Sequence, residues 1–232
     1  MNFCAGTSST HNDVKSKPGT LTSVTLSDTL TAERRAAMRR KPPNILVYCG
    51  KKDSSRLFVG VKSVLSQCVN TDQYVIYHLK HDQVKSTPWQ DNTTLLVIAS
   101  DKVYDGVDQL FLQYFVHGGR LLSFGSEFDS LIVKRTARLP ALTGQLGLVT
   151  LNCDGHDNVS VIATKYCYTD SRESVLSDVT MTCLACDTTS CQPVIVETLR
   201  ESSAGLAILS QVSLSVCHPV TGESVSLLSY HR

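Results

Sequence analysis

The run Thr93-Thr-Leu-Leu-Val-Ile-Ala-Ser100 is apolar at successive positions, not at alternate ones. A strand of that kind is covered on both faces, as strands of parallel sheets are. Parallel neighbours need long crossover connections, usually helical. This one run therefore commits the chain to strand and helix in alternation, and its flanks supply both. NILVYCG (44–50) and QYVIYHL (73–79) read as further buried strands. VGVKSVLSQCV (59–69) sets Val61, Val64, Leu65 and Cys68 at helical spacing. VDQLFLQYFVHGG (107–119) turns Leu110, Phe111, Tyr114 and Phe115 to one side before a Gly118-Gly119 stop. RLLSFGS (120–126) is the next strand. Residues 44–140 are thus expected to form an α/β domain with an open, mostly parallel sheet.

From residue 141 the character changes. LTGQLGLVTL, VSVIATKYCY, PVIVETL and GLAILSQVSLSV are β-branched and often alternating, with turn-like clusters DGHDN (154–158) and ESSAG (201–205) between them. Residues 141–217 read as a strand-rich antiparallel continuation, packed against the first half or beside it, with 218–232 as a terminal segment. Residues 1–43 are rich in Ser and Thr and poor in large apolar side chains, which predicts a disordered basic tail ending at Pro42-Pro43. Its RRAAMRRK cluster (34–41) fits a solvated linker, a short basic helix, or a nuclear-localisation or nucleic-acid patch, and the linker is the preferred reading.

A formal net charge of +1 over 232 residues creates no field that would gather nucleic acid or anionic membrane. No apolar segment follows a charged start, and no apolar run is long enough to span a bilayer. The expectation is a soluble cytoplasmic chain with neither nucleic acid nor membrane as partner. The nine cysteines are then expected to be reduced thiols. Cys183, Cys186 and Cys191 in CLACDTTSC are the one cluster with metal-like spacing. A zinc site would need a fourth ligand from Cys167, Cys217 or His218. Thiols of a strand and turn are the competing reading, and the preferred one.

In open α/β sheets ligands bind outside the carboxyl ends of the strands. That directs attention to Cys49-Gly50, to Ser100-Asp101 and to SFGSEF (123–128). A nucleophile elbow wants small residues two before and two after the reacting one. With Gly125 at the apex there is no reacting side chain; with Ser126 there, Phe124 and Phe128 occupy positions that should be small. The turn reads as a degenerate elbow at Gly125 and Ser126. No His-x-Glu pair occurs, and the nearest source of a base is His156 beside Asp157. Neither G-x-x-x-x-G-K-[ST] nor G-x-G-x-x-G is present. YCGKKDSS (48–55) remains as an anion site or, more simply, a solvated loop. Cys49 would be reactive only if Lys51 or Lys52 stabilised its thiolate; a buried, inert thiol is the simpler reading.

In order and spacing, PPNILVYCG, VKSVLSQCVNTDQYVIYHL, PWQDNTTLLVIAS and GGRLLSFGSEF resemble the N-terminal region of animal holocarboxylase synthetases, the biotin-protein ligases, over roughly residues 42–217. That region is similar to class I glutamine amidotransferases, whose strand-end turn carries a cysteine and whose triad ends in His-x-Glu. The cysteine position falls on Gly125. The resemblance therefore implies a pseudoenzyme domain with no catalytic or cofactor-binding residues of its own. It implies contact with the ligase catalytic domain and with biotin-accepting carboxylase domains. Biotin and ATP would serve the full-length ligase, whose Gly-Arg-Gly-Arg-type loop does not occur here, so a fragment or short isoform is expected. Mitochondrial or nuclear pools are further implications of the family. A residual amidotransferase-like hydrolase and a small-molecule sensor are the alternatives.

Overall fold

Three of the strands are hydrophobic on both faces because each separates two cores. In the computed structural model, which describes residues 42–51, 54–138, 146–153, 156–169 and 176–214, β1 (Asn44–Tyr48) sends Ile45 and Val47 to one cluster and Leu46 and Tyr48 to another. β3 (Thr93–Ile98) divides the same way, with Val97 on one side and Leu96 and Ile98 on the other. With β2 (Val75–His78) and β4 (Arg120–Phe124) these strands are parallel, in the order β2-β1-β3-β4.

Helix α1 (Ser54–Cys68) covers the first cluster through Val61 and Leu65, four residues apart and so on one face. It starts five residues earlier than its apolar spacing marks, because its first turn carries no core residue except half-buried Leu57. A short helix α2 (His81–Ser86), absent from the sequence reading, follows β2. The backbone N–H of Lys80 donates to Gln83 Oε1 at 3.0 Å and closes its first turn. Trp89 then donates Nε1–H to the Val84 carbonyl at 3.1 Å, folding the connection back on itself. Helix α3 (Val107–Val116) packs Phe111 and Phe115, both fully buried, over the second face. Tyr114 OH donates to the Thr93 carbonyl at 2.9 Å and fixes the helix against the start of β3.

The strand-rich portion does not fold as a separate layer. β11 (Gly205–Ser210) lies parallel beside β4, and β10 (Pro193–Arg200), β9 (Val179–Asp187), β6 (Leu146–Cys153) and β7 (His156–Thr164) follow it antiparallel, making one nine-stranded sheet. VSVIATKYCY is not one strand. Its first part is β7, and its end, β8 (Tyr166–Tyr168), pairs with β5 (Arg135–Ala137) in a separate two-stranded ribbon. The antiparallel strands curl until Val212, just beyond β11, bridges to Ala163 of β7. Val149, Leu151, Val161, Ala163, Val194 and Val212 fill that curl as a third cluster. Arg200 ties the halves together, donating Nη1–H to the Val116 carbonyl at the end of α3 at 2.6 Å and pairing with Asp178 at 2.9 Å.

Candidate functional site

The strand order β2-β1-β3-β4 reverses direction between β1 and β3, and such a switch point is where open α/β sheets bind ligands. Here the two strand ends approach closely. Gly50, at φ +76°, lies against Ser100, and a Cβ on it would stand 2.6 Å from Ser100 Oγ. Around this contact four elements contribute one chain of polar groups. Tyr48 OH bonds His81 Nδ1 at 2.9 Å, His81 Nε2 lies 3.3 Å from Asp105 Oδ2, and Lys51 Nζ donates to the same oxygen. An imidazole with its proton on Nε2 satisfies both neighbours. Burial, then the Asp105 charge, then Cys49 push the Tyr48 hydroxyl up to about 12, so it stays a donor. Lys51, by hydrogen bond and charge, and then His81 hold Asp105 below the ordinary carboxylate range. This chain pins the 101–106 loop to the ends of β1 and β2. Its cation is already neutralised by Asp105, which weakens the anion-site reading of residues 48–55; Lys52 and Asp53 lie outside the described residues.

Cys49 sits beside it, 3% exposed, with its thiol pushed up to about 12 by burial. At neutral pH it is a protonated core side chain, not a nucleophile.

The elbow lies at the end of β4. Gly125 adopts φ +59°, the left-handed conformation such a turn requires, and its N–H donates to the Ser210 carbonyl at 2.6 Å. The space a nucleophile would use is filled. A Cβ at this position would meet Thr164 Cγ2 and the Val212 carbonyl oxygen, each at 3.3 Å. The segment Gln211–Ser213 roofs the turn, held to β7 by Thr164 N–H to the Gln211 carbonyl at 2.8 Å and Ser213 N–H to the Ile162 carbonyl at 2.9 Å. Ser126 is fully buried and caps the 3-10 turn Glu127–Leu131, its Oγ accepting from Phe128 N–H at 3.3 Å and its carbonyl accepting from Arg135 Nη1 at 2.9 Å. None of these contacts brings it a histidine.

Beneath the elbow is a buried polar cluster that sequence reasoning missed. Asp129, wholly buried, accepts from Ser123 Oγ at 2.5 Å, Tyr168 OH at 2.6 Å and Gln211 Nε2 at 3.3 Å. Thr164 Oγ1 donates in turn to Gln211 Oε1 at 2.5 Å. Burial raises the Asp129 carboxyl to about 6, against the opposing pull of Ser123, Tyr168 and more distant Arg135. Burial and the Asp129 charge hold the Tyr168 hydroxyl well above its ordinary range. One carboxyl thus joins β4, the 127–131 turn, the β5–β8 ribbon and the segment after β11. A lone aspartate in the apolar run EFDSLIV is the signal that marked it.

The cysteine cluster does not converge. Cys183 and Cys186 lie on strand β9 and exposed Cys191 follows the next turn, and among the described residues no three His, Cys, Asp or Glu side chains could share an ion. In an extended strand, three residues of separation spread two side chains about 10 Å apart, too far for one tetrahedral ion. Cys167 is buried and bonded to Gln192 Oε1 at 3.1 Å. Cys217, His218 and the His156 and Asp157 side chains lie outside the described residues. At the opposite, amino edge of the sheet, Asp91, Thr93, His117, Gly119 and Arg120 line a concavity of about 570 Å³, far from the switch point.

The fold and its strand-end turns define an open α/β sheet with an elbow whose apex carries no side chain. No protein-family model matches the sequence. Over 98 residues, 41% of this chain, it is 41% identical to human biotin--protein ligase, and the match spans 14% of that ligase's length. This supports a partial relationship to the ligase. Among solved structures, the exo-β-1,4-mannosidase Op5Man5 from Opitutaceae bacterium strain TAV5 covers 77% of the chain over 33% of its own, with TM-score 0.52 and 12% identity. A ThuA-like protein from Bacteroides uniformis covers 73% of the chain and 81% of its own, with TM-score 0.44 and 13% identity. The mannosidase likeness is one of fold. Among the described residues no helix is long and apolar enough to cross a membrane.

Proposed function

We propose that this chain is a non-catalytic binding module of protein biotinylation, built on a glutamine amidotransferase-like sheet whose own chemistry has been lost. The observation that carries the reading is the filled elbow, set beside the partial identity to a biotin-protein ligase. Gly125 supplies the turn without the side chain, and Gln211–Ser213 occupies the space above it. With Ser126 used as a cap and Cys49 protonated and buried, the residual-hydrolase reading has no nucleophile to rest on.

In this role the chain contacts a ligase catalytic domain and influences how biotin-accepting carboxylase domains are selected. Biotin and ATP are consumed by the catalytic domain, and the module works in the cytoplasm. The test adds the purified chain to an isolated biotin-protein ligase catalytic domain with ATP, biotin and an apo acceptor domain. No transfer is expected from the chain alone, and an altered acceptor KM or rate is expected in the mixture. An unchanged mixture would remove the reading, and transfer by the chain alone would place chemistry where none is proposed.

A further inference from the structure

The two faces of the parallel sheet are covered unequally. Phe111 and Phe115 of α3 cover one face as far as Ala207 and Leu209 of β11. On the other, the contacts of α1 run to β1 and β2. Beyond them Leu199, Leu206 and Ile208 belong to none of the three hydrophobic clusters. Strand register arranges this open area as a grid. Leu206 of β11 stands between Arg120 of β4 and Leu199 of β10, and Ile208 stands between Leu122 and Glu197. Arg120 and Glu197 therefore occupy opposite corners of an apolar patch. Arg120 is exposed, Glu197 is half-buried, and neither forms an ion pair with another described residue.

We propose that this face is the contact of a two-fold dimer of the chain, in which Arg120 of each copy meets Glu197 of the other across a centre of Leu206 and Ile208. A two-fold contact uses the same patch twice, so a patch with one charge of each sign at opposite corners complements itself. Strand and residue spacings place the two corners about 12 Å apart. An axis in the plane that exchanges them makes the strands of the copies cross at about 70°, close to the orthogonal class of sheet packing. Packed sheets stand about 10 Å apart, a gap that an arginine and a glutamate span together. The patch is narrow, so the dimer is a reversible one at the small end of specific interfaces. It also covers a face of the parallel strands β4 and β11 over which no described helix packs.

The experiment is sedimentation equilibrium of the full chain over a range of concentrations, with Arg120→Glu, Glu197→Arg and the double exchange. Each single exchange puts like charges together at both corners and is expected to raise the dimer Kd by about tenfold or more. The double exchange restores opposite charges and is expected to return Kd to within about threefold of the parent. Circular dichroism and melting of all four chains identify any that fail to fold, and rescue by the double exchange cannot come from misfolding. A chain monomeric at every concentration, a dimer indifferent to the single exchanges, or a face that binds an isolated ligase catalytic domain and not a second copy would each overturn the proposal. The biotin-transfer assay is independent of this one, so either result stands without the other.

Discussion

Replacing Asp129 by asparagine separates two opposed influences on one carboxyl. Asp129 is wholly buried, which favours its neutral form, and it accepts three hydrogen bonds, which favour the anion. Burial prevails, since the carboxyl titrates at about 6 in the folded chain against an ordinary 3.8. Between those values the folded chain holds a proton that the unfolded chain has released. The stability this gives is fully present below the unfolded value and is lost as pH rises through the folded one. The whole span is worth about 3 kcal/mol, most of which falls between about pH 4 and pH 7.5. Asparagine mimics the neutral acid and does not titrate. The unfolding free energy of Asp129→Asn minus that of the parent should therefore rise by about 2–3 kcal/mol across that interval. Other titrating groups cancel in the difference. Urea unfolding of both proteins at the two pH values, followed by circular dichroism, measures it. A difference that does not change with pH would refute the reasoning. A fall with pH would mean that the three donors outweigh burial.

Phe111→Ala removes a fully buried ring at the centre of the α3 face and should cost about 3–5 kcal/mol in the same urea assay. Gly125→Cys places a thiol at the apex of the turn and presses it against Thr164 and the Val212 carbonyl at positive φ. It should lose about 1–3 kcal/mol and stay unreactive to an electrophilic glutamine analogue, as read by intact mass. Alkylation of the native chain at neutral pH should modify exposed Cys68 and Cys191 well before buried Cys49 and Cys167, as peptide mapping would report.

The parallel half of the fold was legible because its signals are local. Val97, Leu96 and Ile98 announce a strand buried on both faces, and Val61 with Leu65 announce a helix, whatever lies elsewhere in the chain. β9 was legible only in part: CLACD was read as thiols of a strand and turn in preference to metal ligands, but the extent of the strand and its pairing with β10 and β6 carry no local signal. The parallel partner of β4 was invisible for the same reason. β11 joins it from more than eighty residues away, and no periodicity encodes which strand another will choose. The candidate site divides along the same line. Gly125 and Ser126 are adjacent in sequence, and the sharp turn they form could be read from the residues themselves. Asp129, Tyr168 and Gln211 meet across three elements, and only the fold makes them one cluster.

The filled elbow and the open face trace to one change in how the chain is built. Up to β4 each strand is followed by a connection that lays a helix on one side of the sheet or the other. After β4 the chain turns to antiparallel strands and returns with β11, reached through the β10–β11 hairpin and not through a helical crossover. Among the described residues no helix then covers Leu206 and Ile208 on the α1 side. The same β11, running past its own end, carries Gln211–Ser213 across the carboxyl edge to meet β7. A catalytic cleft at Gly125 would need that edge open, whereas the third cluster needs it shut, because Val212 packs with Val161, Ala163 and Val194. A side chain placed at Gly125 would therefore gain open space only by exposing the core of the antiparallel half.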